Sequence, residues 1–101
     1  MMDLDAFRAS QEANKPPDGL TDSLLALWCA AKGDWRQAHE IVQRAGEAGD
    51  TAADWVHAYL HRVEGDLSNA GYWYRRSGRA AADGLLEAEW TAIATALLKR
   101  S

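Results

Sequence analysis

The sequence predicts an all-α fold, built from two stacked helical hairpins with flanking N- and C-terminal helices. Three observations predict it. "LLALWCAAKGDWRQAHEIVQRAG", from Leu24, aligns without gaps on "VHAYLHRVEGDLSNAGYWYRRSG", from Val56, at a spacing of 32 residues. A repeat of that period announces stacked supersecondary units. Each copy carries Gly-Asp at its middle, Gly33-Asp34 and Gly65-Asp66, the punctuation of one helix ending and another starting. Near the C-terminus, Leu86, Trp90, Ile93 and Leu97 recur at helical spacing, so one face of that segment is apolar.

The elements follow in order. Asp3 to Ala13 makes a short helix, ended by the prolines and glycine of "NKPPDG", because proline lacks the donor and the conformational freedom that a helix interior needs. Residues 1–20 are thus an N-terminal helix and turn. Thr21 or Asp22 starts hairpin one, residues 21–46. Gly33 suits the left-handed position after a helix. Asp34 caps the next helix, with Gln37 completing a capping box. Ala38 and Ala70, four residues past each Asp, let the helices of a hairpin approach closely. "RAGEAGDTAAD" separates the units, and Thr51 with Asp54 forms a second capping-box-like start for hairpin two, residues 51–78. Residues 81–101 form an amphipathic helix that caps the exposed end of the stack, as a short repeat array requires. The expectation is one domain over 1–101 with five or six helices and no strands.

Gly-Asp-aromatic/apolar-x-x-Ala is followed by an apolar residue four later (Val42, Tyr74) and a small one three beyond (Ala45, Ser77). This pattern resembles the second helix of a tetratricopeptide repeat. The resemblance covers residues 21–78 and implies a right-handed stack of two tetratricopeptide-like hairpins that binds other proteins as a scaffold. The chain departs from the family at Asp22 and Asp54, where a large apolar residue is usual. Its period is two residues short of the usual ~34. The wording "GDW…AHEIVQ…WVHAYLHR.EGD…NA.YWYRR" also resembles a group of small bacterial proteins.

Composition narrows the function classes. Hydrophobic residues at 48% and charged residues at 26% support a packed core rather than disorder. A net charge of −4 disfavours binding to nucleic acid, which needs a basic surface. No apolar run approaches the ~20 residues of a membrane span. The single cysteine, Cys29, excludes an intramolecular disulfide, and with an acidic N-terminus lacking a leader pattern it suggests a cytoplasmic protein. Cys29 lies in an apolar run and is expected to be buried and inert.

Candidate functional residues concentrate in hairpin two. On a helix over 51–64, Ala52, Val56, Tyr59, Leu60 and Val63 share an apolar face, and His57, His61 and Glu64 form a stripe opposite (i, i+4, i+7). Hairpin one carries Leu25, Cys29 and Lys32 at the equivalent positions. One reading places the stripe along a semi-exposed groove. His39, Trp55, His57, His61 and Glu64 line it there, and Tyr72, Arg75, Arg76 and Arg79 form a rim if their helix persists past Gly78. The chain is then a non-enzymatic binding module without a cofactor, recognising a protein, a peptide or a small ligand. A second copy of the chain is also an expected partner, through exposed Trp and Tyr. The alternative is a metal-dependent enzyme holding a divalent metal with His57, His61 and Glu64, and with His39 from the preceding helix, since imidazoles one turn apart can share an ion. Trp28, Trp35, Trp73, Tyr74 and Trp90 are expected in the core, and Asp3, Asp5, Glu87 and Glu89 on the surface.

Overall fold

A computed structural model describes residues 2–100; Met1 and Ser101, the outer limits of the expected terminal segments, lie outside the described residues. Among these there are six helices and no strand: α1 (Leu4–Ser10), α2 (Asp22–Ala31), α3 (Trp35–Glu47), α4 (Thr51–Val63), α5 (Leu67–Ser77) and α6 (Leu86–Arg100).

Local chemistry sets the boundaries. Asp3, Thr21, Asp34, Asp50 and Asp66 cap α1 to α5, each side chain accepting from a backbone N–H of the first turn, which relieves a donor that has no helical partner. The cap of α4 is Asp50, not the expected Thr51–Asp54 pair, and this frees Asp54 to turn inward, where it is buried. The two Gly-Asp turns are copies of one another. Gly33 and Gly65 both sit at φ +85. The N–H groups of Asp34 and Asp66 donate to the carbonyls of Cys29 and His61, each at 2.9 Å. That closes the helix C-terminus as a Schellman motif does.

Helix α4 is the hub. It packs against α2, α3, α5 and α6, while α2 packs on α3. Helix α6 lies against α2 and α1 as well as α4, so it crosses several elements instead of closing the end of hairpin two alone. Trp90 explains that placement: its indole stacks on Phe7 of α1 at 5.6 Å between centroids and donates to the Leu27 carbonyl of α2 at 3.0 Å. Around it, Leu24, Leu27, Val56, Leu60 and Ile93 are fully enclosed.

Glu89, expected on the surface, is buried because it answers half-buried Arg62 at 2.7 Å and the buried Tyr74 hydroxyl, which donates to its other oxygen. These side chains lie far apart in sequence, and only the fold brings α4, α5 and α6 to one point. Val63, placed on the apolar face by periodicity, is 42% exposed. It occupies the last position of α4, where the chain turns away at Gly65.

A side chain at Gly46 of α3 would crowd this packing. A Cβ there would stand 2.6 Å from Oδ1 of buried Asp54, whereas at Gly71 it would meet only the Arg75 guanidinium at 3.5 Å. Gly46→Ala should therefore destabilise the protein by about 1–3 kcal/mol through overpacking. Gly71→Ala should be neutral or stabilising by up to ~1 kcal/mol from helix propensity. Thermal melts of the two variants check this; equal effects would contradict the account.

Candidate functional site

The i, i+4 spacing of His57 and His61 projects both rings from one face of α4, toward α3 and α5. From α3, Trp35 and His39 project with the same spacing and stack on one another at 4.8 Å. From α5, Trp73 lies flat on His57, with ring centroids 3.7 Å apart and planes within 12°. His57 and His61 stack at 4.9 Å, and the His39 ring stands edge-on to both. Three imidazoles are thereby enclosed between two indoles.

Burial and hydrogen bonding differ from ring to ring. His57 is 2% exposed and His61 5%, while His39 is half-buried. The Nε2 atoms of His57 and His39 are 3.0 Å apart, so one ring donates an N–H to the lone pair of the other. His61 Nδ1–H donates to Glu64 Oε1 at 2.5 Å. In the neutral ring this fixes the tautomer and turns Nε2 into a bare lone pair. His57 Nδ1 is buried without a partner. Burial pushes the His57 pKa down to about 3, with His39 and His61 adding to the effect. His39 is also lowered, first by burial and then by His61, against the opposing pull of Glu64 and Glu40. Both rings are neutral at physiological pH, and neutral imidazole is the form that coordinates metals.

One ligand nitrogen from each of His39, His57 and His61 lies within 4.8 Å of the others. A second set of donors, buried His61 with exposed Glu64 and Asp66, meets the same limit. Asp66 is already committed as the cap of α5.

The expected site residues thus divide. His39, His57 and His61 come together with Glu64 at their edge, but the stripe does not line an open groove. His57 and His61 are covered because α3 and α5 flank α4 on that side. Trp55 is half-buried and stands apart from the cluster, under the Arg79 guanidinium at 3.9 Å. Tyr72 is exposed and meets Trp73 edge-on at 5.0 Å. Gly78, at φ +73, ends α5 after Ser77, so Arg79 does not continue the rim. Arg76 lies over Trp73 and 3.7 Å from Asp54, and Arg75 remains exposed. Trp35 and Trp73, read from sequence as core, are half-buried walls of the histidine cluster. The i, i+4 pairing of Trp35 with His39 was the one signal that could have placed Trp35 there. Cys29 is buried, and burial and Asp34 both raise its pKa, as expected for an inert thiol.

Comparison with protein-family models, with curated proteins and with solved structures finds no match for this chain. Among the described residues, no helix is long and apolar enough to cross a membrane.

The depressed histidines make stability depend on pH. Between the ordinary value of ~6.5 and about 3, the unfolded chain binds protons that the folded His57 refuses. Their contribution is fully present above ~6.5 and lost progressively as the pH falls. In chelator-containing buffer, the melting temperature should drop steadily from pH 7 to pH 4, a loss on the order of a few kcal/mol. His57→Phe should flatten that slope. A slope unchanged by the substitution would assign the acid sensitivity to other groups.

Proposed function

We propose that His39, His57 and His61 bind a divalent transition metal and that this chain is a small helical metal-binding protein. One observation carries the reading: three imidazole nitrogens from two helices lie within 4.8 Å of one another. The 3.0 Å between the His57 and His39 Nε2 atoms is close to the ~3.3 Å that two nitrogens span across a tetrahedral zinc bound at ~2.0–2.1 Å. The Glu64 carboxylate on His61 Nδ1 has the form of the carboxylate–histidine pair that orients a ligand ring and raises its basicity. In this reading Glu64 holds a ligand instead of being one. The indoles of Trp35 and Trp73 supply a water-poor shell. All-nitrogen donors favour zinc, copper or nickel over calcium or magnesium, which require oxygen. Three protein ligands leave one position for an exogenous group, the starting point for the hydrolytic alternative. The tetratricopeptide-like stacking belongs to the same proposal, as the rigid frame that holds α3 against α4. So does a cytoplasmic location, which suits the lone unpaired thiol.

Elemental mass spectrometry of untagged protein tests the reading, before and after incubation with zinc. About one ion per chain is expected, abolished in His57→Phe. Zinc at ~100 times its dissociation constant should stabilise the fold by about 2.7 kcal/mol. Glu64→Gln should weaken affinity about 10- to 100-fold. Protein that takes up no zinc, copper or nickel and shows no thermal shift with any of them refutes the proposal.

A second reading, a non-enzymatic scaffold for a protein partner, is favoured by the exposure of Leu67 (69%) and Tyr72 (46%) on α5. Under it, Leu67→Ser with Tyr72→Ala would abolish capture of a native partner without changing metal content.

A further inference from the structure

On the opposite side of α4 from the histidines is a cavity of about 410 Å³, lined by Arg8, Gln11, Ala31, Tyr59, Glu87 and Trp90. Tyr59 is two residues from both His57 and His61, which places it ~200° around the helix from each. The volume falls within the range of small-molecule sites, ~300–1,000 Å³. The lining combines a buried apolar wall with polar groups of both signs.

The polar groups are only partly paired. The Gln11 side-chain Nε2 is buried and has no hydrogen-bond partner, a condition that costs about 1–3 kcal/mol and is relieved by an acceptor. Arg8 gives one guanidinium nitrogen to Thr91 Oγ1 at 2.5 Å, and its remaining N–H groups are available. Glu87 lines the same cavity, yet among the described residues no ion pair joins it to Arg8. Both are exposed, while Tyr59 and Trp90 are buried behind them. The Trp90 N–H is spent on Leu27, so its ring contributes packing surface. Burial and the nearby Glu89 raise the Tyr59 pKa, which keeps the phenol a neutral donor at physiological pH.

We propose that this cavity binds a free amino acid with an apolar side chain. The carboxylate meets Arg8 and the Gln11 amide, the ammonium meets Glu87, and the side chain packs on Trp90, Tyr59 and Ala31. A zwitterion matches separated charges of opposite sign, which a plain acid or a plain amine satisfies only in half. The preference for an apolar side chain follows from the two aromatic walls. The site is independent of the metal reading, since none of its residues belongs to the histidine cluster.

The test is an NMR titration of 15N-labelled full-length chain with L-phenylalanine, L-leucine, 3-phenylpropionate and phenethylamine. At least one amino acid is expected to bind at about 0.1–1 mM, shifting the Trp90 indole and Gln11 side-chain amide signals. The phenyl acid and amine are expected to bind about tenfold more weakly than L-phenylalanine or not at all. Arg8→Gln and Glu87→Gln change exposed side chains and leave the core intact. Each should weaken amino-acid binding about tenfold, with Glu87→Gln also removing the preference over the plain acid. Absence of shifts with both amino acids at about 10 mM overturns the proposal. So does binding that neither substitution alters, or 3-phenylpropionate binding as well as phenylalanine.

Discussion

Helix α4 is enclosed by α2, α3, α5 and α6, and much of the remaining structure follows from that enclosure. A helix buried on both faces would ordinarily be apolar all round. This one carries Asp54, His57, His61 and Arg62 into the interior. Burying a polar group without a partner is costly, and each of these side chains has a polar neighbour, each from a different place, although Asp54 Oδ1 and His57 Nδ1 stay without a hydrogen bond. Asp54 draws Arg76 from α5, His57 draws His39 from α3, His61 draws Glu64 from the end of its own helix, and Arg62 draws Glu89 from α6. Apolar packing brings the helices together. The two hydrogen-bonded pairs that cross to another helix, His57–His39 and Arg62–Glu89, restrict the height at which α3 and α6 stand along α4, because a hydrogen bond, unlike apolar contact, is lost when a helix slides by one turn.

Much of this was legible in the sequence where the information is local. The period of 32 and its Gly-Asp turns carry over into two glycines with the same φ and two aspartates that cap in the same way. The limits of α2 to α5 fall within a few residues of those expected, because caps and left-handed turns are set by neighbours along the chain, whereas α1 stops at Ser10, short of Ala13, and α6 starts at Leu86, past the expected 81. The histidine spacing was equally plain. The depth of the histidines was not. A helical wheel identifies a polar stripe opposite an apolar face, and the natural inference is solvent. That inference fails when helices flank both sides, a fact carried by α3 and α5 and not by α4. Glu89 failed for the same reason. Its partners Arg62 and Tyr74 are 27 and 15 residues away, and nothing in "LEAEW" marks one glutamate as buried and the other as exposed.

The aromatic residues around the cluster do more than fill space. Trp35 holds His39 by stacking and ties itself to α4 through its N–H on the Leu60 carbonyl at 2.7 Å. Trp73 covers His57 from α5 and is itself flanked by the Arg76 guanidinium at 5.5 Å. The three rings therefore have few rotamers open to them. Rigid donors lose little entropy when they coordinate or hydrogen-bond, which is the general advantage of an arrangement organised before its ligand arrives.

Comparison of the two hairpins supplies the argument that the cluster serves something other than folding. Where hairpin two has His57 and His61, hairpin one has Leu25 and Cys29, and Cys29 is buried. Half-buried Leu25 and buried Cys29 thus pack at the same positions of the same motif without an imidazole. Histidine there brings a penalty, visible in the depressed pKa of His57 and in its unpartnered Nδ1. For folding, the return on that exchange is limited to the register that the His57–His39 pair fixes between α3 and α4. Perturbed titratable groups that converge in space are the usual mark of a working site, and here the convergence uses donors from α3 and α4 together. Glu64 adds to the argument, since Lys32 takes its place in hairpin one. Only the hairpin with the buried imidazoles has a carboxylate positioned to orient one of them. The three differences form a single chemical unit, and a shared role at that unit accounts for them better than three separate accidents of packing.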